Sequence, residues 1–301
     1  MNAKKVLILD GSSHHAISKE HADFLEFLQN HLNGKGNYQC HVADIQTTAL
    51  SVISGQPKVW VDLETDILSY DLVIFRNASR FSALAAPVCL YLAHHKVPYT
   101  NGMEGPGFYI GKIAQMFLFA LNGLPVPDSL VVRNPEALVS FLPRFSDGRL
   151  IVKDNNGLRG RHNFLVQPGY DLRAFLESQE KIYIVQPYIP NNGDYRILYM
   201  GYERKPLIFK RTGAPGSHLN NTSQGGTAEL IDDFPEAVID TARAAAKLFG
   251  RELAGVDILF DEHGKHFILE VNETPAIASG FMPEAKLDLL DGYIQERLRI
   301  E

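Results

Sequence analysis

The chain is 301 residues long, 45% hydrophobic and 21% charged, an ordinary globular composition with room for two domains or three small ones sharing surfaces. Its formal charge of −6 comes from 29 basic and 35 acidic side chains with no long run of either, which excludes a protein held on nucleic acid mainly by phosphate contacts. An anionic small substrate stays open, because a local basic pocket can coexist with an acidic surface.

Cys40 and Cys89 are the only cysteines, too few for a disulfide framework or a cysteine zinc cluster, and are expected as buried, reduced thiols. Only four apolar residues, Val6 to Leu9, follow the first two lysines, too few for a signal-peptide core. No stretch approaches the roughly 18 apolar residues of a membrane span. The expectation is a cytoplasmic protein without membrane or nucleic-acid partners, with homo-oligomer formation left open.

In chain order, Lys5–Leu9 reads as a buried parallel strand ending at Asp10-Gly11-Ser12-Ser13. A helix follows from about Ser18 to Leu32, with Phe24, Leu25, Phe27 and Leu28 at helical spacing. Tyr38–Ala43 and Asp71–Phe75 are strands, Ala83–His94 a helix and Val97–Thr100 a last short strand. This alternation predicts a small open parallel sheet over residues 1–100. A second unit, 101–190, opens with a helix over Gly111–Gly123, whose apolar stripe is Ile113, Met116, Phe117, Ala120 and Leu121, stopped by Pro125 and Pro127. Leu130–Val132, Leu150–Lys153, Asn163–Gln167 and Ile182–Tyr188 read as strands, Pro135–Leu142 and Asp171–Ser178 as helices. A third unit, 191–301, carries strands at Tyr195–Gly201, Pro206–Arg211, Gly255–Phe260 and His266–Val271, with helices at Pro235–Phe249 and Pro283–Leu298.

Three groups of residues carry chemistry. In the first, Asp261–Gly264 is turn-rich, so the strands around it should form a hairpin. A two-residue turn at His263-Gly264 pairs Asp257 with Glu270, and Asn272 shares the face of Glu270 because side chains alternate. Two carboxylates and an amide oxygen then converge among apolar positions, a costly cluster unless a cation sits there. Hard oxygen ligands suit Mg²⁺; a solvated edge hairpin is the alternative.

In the second, Lys153 ends an apolar strand and precedes Asp154–His162. Gly157 and Gly160 in that loop would let backbone N–H groups approach phosphates, with Lys153 as a point charge. It is not a Walker loop, and a flexible surface hairpin is the alternative. Lys112 stands at the start of a helix, where a surface lysine is equally readable. Gln186, Tyr188 and Ile189 leave a buried strand with backbone able to read an adenine edge, or form an ordinary strand exit.

In the third, Asp194 and Arg196 share a face at the start of one strand, and Lys210-Arg211 closes the next. Two arginines, Asn221 and Gly225-Gly226 would suit an anionic transition state, or form a surface salt-bridge network. No Gly-x-Ser-x-Gly elbow is present. His14-His15 could line a pocket. Arg76, Asn77 and Arg80 follow the third strand, where open α/β sheets present ligands, and could bind a carboxylate.

The order of these residues, above all Asp257 followed by Glu270-Val-Asn272-Glu-Thr-Pro275, resembles the ATP-grasp superfamily. The nearest likeness is to RimK-like and prokaryotic glutathione-synthetase-like carboxylate–amine ligases, over about residues 98–280. The resemblance implies an α/β and α+β chain: two α+β subdomains gripping ATP, preceded by a small Rossmann-like pre-ATP-grasp domain. It implies that Lys112, Lys153, Gly157, Gly160, Gln186, Tyr188, Ile189 and Asp194 serve the nucleotide. Asp257, Glu270 and Asn272 would hold two Mg²⁺, with Mn²⁺ able to substitute. Arg211 would stabilise an acyl phosphate, with Arg196 and Asn221 beside it.

Two departures stand out. Pro187 follows the hinge glutamine where many relatives are acidic, and the flap carries Leu158, Arg159 and Arg161, a basic pattern that would also suit an anionic substrate. The implied reaction joins a carboxylate to an amine through an acyl phosphate, on an amino acid, peptide or protein tail. An ATP-grasp kinase and a non-catalytic nucleotide-binding protein are the alternatives.

Overall fold

The computed structural model describes residues 3–12, 19–102, 111–131, 134, 140, 142–143, 148–155, 163–177, 182–215, 217, 219–220, 225–278 and 280–299, with backbone only for 175–177. The expected helix over 135–142 lies almost wholly outside them, as do the 156–162 loop and His14-His15.

The first sheet is parallel, in the order β2 (Gln39–Asp44), β1 (Lys5–Asp10), β6 (Leu72–Arg76), β7 (Tyr99–Thr100). Val6 to Leu9 are all buried, as a strand covered on both faces requires. Val6 and Ile8 pack with Leu25, Leu28 and Leu32 of α1 (Lys19–Asn33). Leu7 and Leu9 pack with Ala85, Val88 and Leu92 of α2 (Ser82–His94).

Between β2 and β6 the sequence reading places no element, yet three antiparallel strands stand there: β3 (Ala49–Ile53), β4 (Gln56–Val61) and β5 (Thr65–Asp66). Their apolar alternation is broken, because Val52 and Ile53 are adjacent and both exposed. The usable signal was the turn itself, Ser54-Gly55, with φ of +51° and +75°.

The second sheet is antiparallel, in the order β10 (Asn163–Val166), β9 (Leu150–Asp154), β11 (Tyr183–Pro187), β8 (Leu130–Val131). Leu150, Val152, Tyr183 and Val185 bury one face with Leu172 of the short helix α4 (Leu172–Glu177). The opposite face carries Lys153 and Gln186, since Lys153 pairs with Ile184 and Ile151 with Gln186.

The third sheet is antiparallel, in the order β14 (Thr227–Leu230), β13 (Leu207–Thr212), β12 (Asp194–Met200), β15 (Leu253–Phe260), β16 (His266–Asn272). Strand β14 is a further element absent from the sequence reading. One face, with Ile197, Tyr199, Val256 and Ile258, packs on Ala242, Ala245, Ala246 and Phe249 of α5 (Glu236–Phe249). On the other face, Leu198, Met200 and Leu253 join Leu287, Leu290 and Ile294 of α6 (Pro283–Leu298), in a core that also holds Val6 and Ile8. The first and third sheets thus share one core beneath α6. Among the described residues no helix is long and apolar enough to cross a membrane.

Helix α3 (Lys112–Leu121) corrects the expected apolar stripe. Gln115 and Phe119 are buried, whereas Phe117 is 56% and Leu121 82% exposed. Lys112 and Gln115, three apart, give the helix one polar side, so periodicity selects the opposite face as the core. A pair of hydrogen bonds sets the actual one. The Val271 N–H donates to Gln115 Oε1 at 2.8 Å and Gln115 Nε2 donates to the Val271 carbonyl at 3.2 Å, closing the edge strand β16 as a further strand would. Gln115→Ala leaves a buried N–H and C=O of Val271 unpaired and is expected to cost about 2–4 kcal/mol in urea unfolding.

Candidate functional site

Strand register builds the site. Arg196 on β12 faces Asp257 on β15, and Asp257 faces Glu270 on β16, so the three stand in one row across neighbouring strands. Adjoining rows on the same face hold Arg211 with Asp194, and Gly255 with Asn272. The expected Asp257–Glu270 pairing is present, but the expected two-residue turn is not. The loop spans 261–265 and closes on Phe260 opposite His266; alone it would set Asp257 against Leu269. A bulge between Asp257 and Ile258 restores the pairing with Glu270, so the bulge aims both carboxylates to one side.

Asp257 is 4% exposed and held by two guanidinium groups. Arg196 donates from Nε to Oδ1 at 2.7 Å and from Nη2 to Oδ2 at 2.8 Å. Arg211 Nη2 lies 3.0 Å from Oδ2. Burial alone would raise this carboxyl, but Arg196 and Arg211 outweigh it and hold it down at about 2. Arg211 is itself locked by Asp194, with Nε to Oδ1 at 2.6 Å and Nη2 to Oδ2 at 2.9 Å. Burial pushes the Asp194 carboxyl upward, against the pull of Arg211. Gly193, at φ +132°, lets the chain enter β12 directly against the Arg211 carbonyl, a conformation and a closeness only glycine tolerates.

The second sheet supplies the opposing wall. Burial lowers the Lys153 ammonium to about 8, against the pull of Glu270 and with Lys112 adding repulsion, which sets Lys153 among the charges of the third sheet. Lys112 Nζ is 2.9 Å from Glu270 Oε2. Asn155, at the end of β9, accepts from the Ile113 N–H at 3.1 Å and so caps α3 from a distance. Gln186 is buried and donates to Ser129 Oγ at 2.8 Å. Tyr188 stacks under the Arg149 guanidinium, 4.3 Å from the ring centre, and Ile189 gives its carbonyl to Asn191.

Lys153 on the second sheet, Asp194, Arg196, Arg211, Asp257, Glu270 and Asn272 on the third, and Lys112 at the head of α3 are therefore brought together, with Gln186, Tyr188 and Ile189 along the exit of β11. Gly157, Gly160 and Asn221, with the flap residues Arg159 and Arg161, lie outside the described residues. Arg76 is turned back onto Asp10 and Ser12, and Asn77 donates to Ser12 Oγ and, through its N–H, to Thr274 Oγ1 at 3.2 Å. Asn77 thus bridges the first and third sheets, whereas the ion pair of Arg76 stays within the first and its Nε has no hydrogen-bond partner among the described residues. Sequence reasoning missed Gln115 and Asn155, which position α3. A polar residue inside an otherwise apolar helix was the signal for Gln115.

The model of the RimK-like ATP-grasp domain family matches residues 111–292. A probable alpha-L-glutamate ligase of Azotobacter vinelandii is 30% identical over 171 residues, 55% of this chain and 56% of the relative. One from Pseudomonas syringae pv. syringae is 28% identical over 193 residues, 62% of this chain and 63% of the relative. The chain thus spans little more than half the length of these curated relatives. Among solved structures, the ATP-grasp ligase PsnB complexed with precursor peptide PsnA2 and AMPPNP superposes with a TM-score of 0.72 at 20% identity, covering 99% of both chains. D-alanine–D-alanine ligase from Bacillus anthracis, complexed with ATP, gives 0.64 at 18% identity over 99% and 98%. The fold is the ATP-grasp fold.

Because the folded Asp257 titrates near 2, below its ordinary value of 3.8, its stabilisation is complete above that ordinary value and lost as pH falls through about 2. Urea unfolding between pH 5 and pH 2 is expected to show a loss on the order of 2 kcal/mol that Asp257→Asn removes.

Proposed function

The chain belongs to the RimK-like ATP-grasp family, and from that premise we propose that it is an ATP-dependent carboxylate–amine ligase. It would form an amide or peptide bond through an acyl phosphate and release ADP and phosphate. The observation that carries this reading is the row Arg196–Asp257–Glu270, flanked by Arg211–Asp194 and faced by Lys153.

The residues present fit magnesium. Asp257, Glu270 and Asn272 lie on one face with hard oxygen donors, and side-chain cations now hold the carboxylates. Among the described residues no three His, Cys, Asp or Glu side chains cluster as a metal site, so phosphate oxygens and water would complete the shell, as Mg²⁺ prefers. Bound there, one or two Mg²⁺ (or Mn²⁺) would neutralise phosphate charge and hold the transferring group in line.

The chain's own residues then divide the work. Lys112 and Lys153 bind the nucleotide phosphates as point charges. Gln186, Tyr188 and Ile189 offer the adenine a strand exit. Arg211, fixed by Asp194, meets the phosphoryl group as it passes to the substrate carboxylate, and Arg196 stands beside it. Such pre-set donors stabilise charge without reorganising during the reaction. The amine attacks the acyl phosphate and expels phosphate, so no covalent bond to the enzyme is needed. The 154–162 flap with Gly157 and Gly160, and Asn221, keep the roles the family resemblance implies.

The substrates we propose are an amino acid, peptide or protein tail, in line with the alpha-L-glutamate ligase relatives and the peptide-bound neighbour. We assign residues 1–100, 101–190 and 191–301 to the pre-ATP-grasp, central and carboxyl-terminal units. The buried thiols of Cys40 and Cys89 suit a reducing, cytoplasmic setting.

Asp257→Ala and Glu270→Ala are each expected to lower ADP formation by at least about 100-fold, measured across amino-acid pairs with product mass. Unchanged turnover would sink the metal assignment, and a stable phosphorylated product would favour a kinase. Lys153 is charged below about pH 8 and neutral above it. MgATP affinity, read by displacement of a fluorescent nucleotide, is therefore expected to weaken as pH rises through that value, and Lys153→Met to remove the step.

A further inference from the structure

Asn272 ends β16, and Glu273, the residue after it, is held from two sides. Asn101, at φ +55°, donates from Nδ2 to the Glu273 carbonyl at 3.1 Å and to the Leu253 carbonyl at 2.8 Å, and accepts from the Leu253 N–H at 3.2 Å. It therefore fixes the main chain of Glu273 against the start of β15. Arg251 takes the side chain. Its Nε and Nη2 each donate to Glu273 Oε2 at 3.3 Å, and its Nη1 donates to the carbonyls of Gly102 at 3.1 Å and Gly250 at 3.3 Å. Arg251 is 1% exposed, with its guanidinium 5.4 Å from the centre of the Phe249 ring.

The main chain of Arg251 is fixed as well. Gly250 ends α5 at φ +69°, and the Arg251 N–H returns to the Ala246 carbonyl at 3.0 Å. An apolar residue frequently packs on the helix end at that position. A buried guanidinium there adds little stability, because desolvation of the charge offsets the attraction of its partner. What it adds is a fixed link from the end of α5 to the residue next to Asn272. On its own face Asn272 is tied loosely: its Nδ2 is 3.3 Å from the Gly255 carbonyl and 3.5 Å from Asp257 Oδ2. Both contacts are long, so the backbone on either side of Asn272 decides where its amide oxygen stands.

We propose that Arg251 and Glu273 are positioning residues of the metal site, a buried ion pair that holds Asn272 where its amide oxygen meets the cation beside Glu270. This rests on the ligase reading of the same cleft, with Asn272 as a metal ligand. Gln115 anchors Val271 on one side of Asn272, and Arg251 with Asn101 anchors Glu273 on the other, so the ligand stands between two fixed neighbours. Outer partners that orient a metal ligand typically cost about 10- to 100-fold in metal affinity when they are lost. Neither Arg251 nor Glu273 takes part in bond making.

The test is titration of Mn²⁺ into the ADP-bound protein, with free Mn²⁺ read by electron paramagnetic resonance. Displacement of a fluorescent nucleotide by ADP without metal runs in parallel. Glu273→Gln and Arg251→Met are each expected to weaken Mn²⁺ by about 10- to 100-fold with metal-free ADP affinity unchanged. The double variant Arg251→Met/Glu273→Met is expected to fall no further than the weaker single, because the pair acts as one unit. It leaves neither charge buried without its partner, so it decides the matter if Arg251→Met does not fold. Tyr38→Phe removes a buried 2.8 Å bond to Asp291 in the core beneath α6, and is expected to lower the melting temperature while keeping Mn²⁺ affinity. The proposal is overturned if folded Glu273→Gln and the folded double variant bind Mn²⁺ as the wild type does, or if the two single effects add in the double. It is equally overturned if Tyr38→Phe weakens Mn²⁺ as much as they do. A wild type that takes up neither Mn²⁺ nor Mg²⁺ with ADP would overturn the metal site of the ligase reading, and this proposal with it.

Discussion

A carboxylate that is only 4% exposed stays ionised only where cations replace its lost hydration, and at Asp257 that requirement organises the cleft. Arg196 takes both of its oxygens and Arg211 shares one of them, while Arg211 is held in turn by the equally buried Asp194. Neither arginine can swing away without leaving a buried charge uncompensated. The guanidinium groups are therefore set before any ligand arrives, which is the condition for donors that must not reorganise during phosphoryl transfer. Such a lattice is a poor source of stability, since buried ion networks seldom gain more than they lose in desolvation. Its value lies in holding charge ready at a defined place.

The two walls of the cleft are tied by one helix. Asn155, on the second sheet, caps the amino end of α3, and Gln115, one turn later, is bonded to the edge of the third sheet. Lys112 stands at the head of the helix, next to the capped Ile113, and reaches Glu270. Any change in the angle between the sheets must therefore move Lys112 relative to Glu270 or to Lys153. The helix acts as a strut whose first turn carries a charge, so a closing of the walls would shift that charge against Glu270.

How much of this was legible in the sequence depended on how local each signal is. The parallel strands of the first sheet were readable because each is a short apolar run with turn residues at its end. The face shared by Asp257, Glu270 and Asn272 was readable because strand alternation is a local rule, yet the route to it was not. The expected turn at His263-Gly264 and the observed loop differ by one in register, and the bulge adds the compensating one, so the pairing is correct through two cancelling departures. The strands β3 to β5 escaped because adjacent apolar residues break their alternation. The facing of α3 escaped because Gln115 is set by Val271, more than a hundred residues away.

The seam between the first and third sheets bears on where substrate recognition is built. Open parallel sheets present ligands at the carboxyl ends of their strands, which made Arg76 and Asn77 natural candidates. Here Asn77 and Asn101 are spent on cohesion: Asn77 reaches Thr274, and Asn101 joins the Leu253 backbone to the Glu273 carbonyl, while Arg76 closes on Asp10 and Ser12 within the first sheet. The seam lies immediately beyond Asn272, so it fixes the loop that follows β16 and, through that loop, the start of α6. Asn77 and Asn101 cannot also read a substrate without breaking the joint that positions β16.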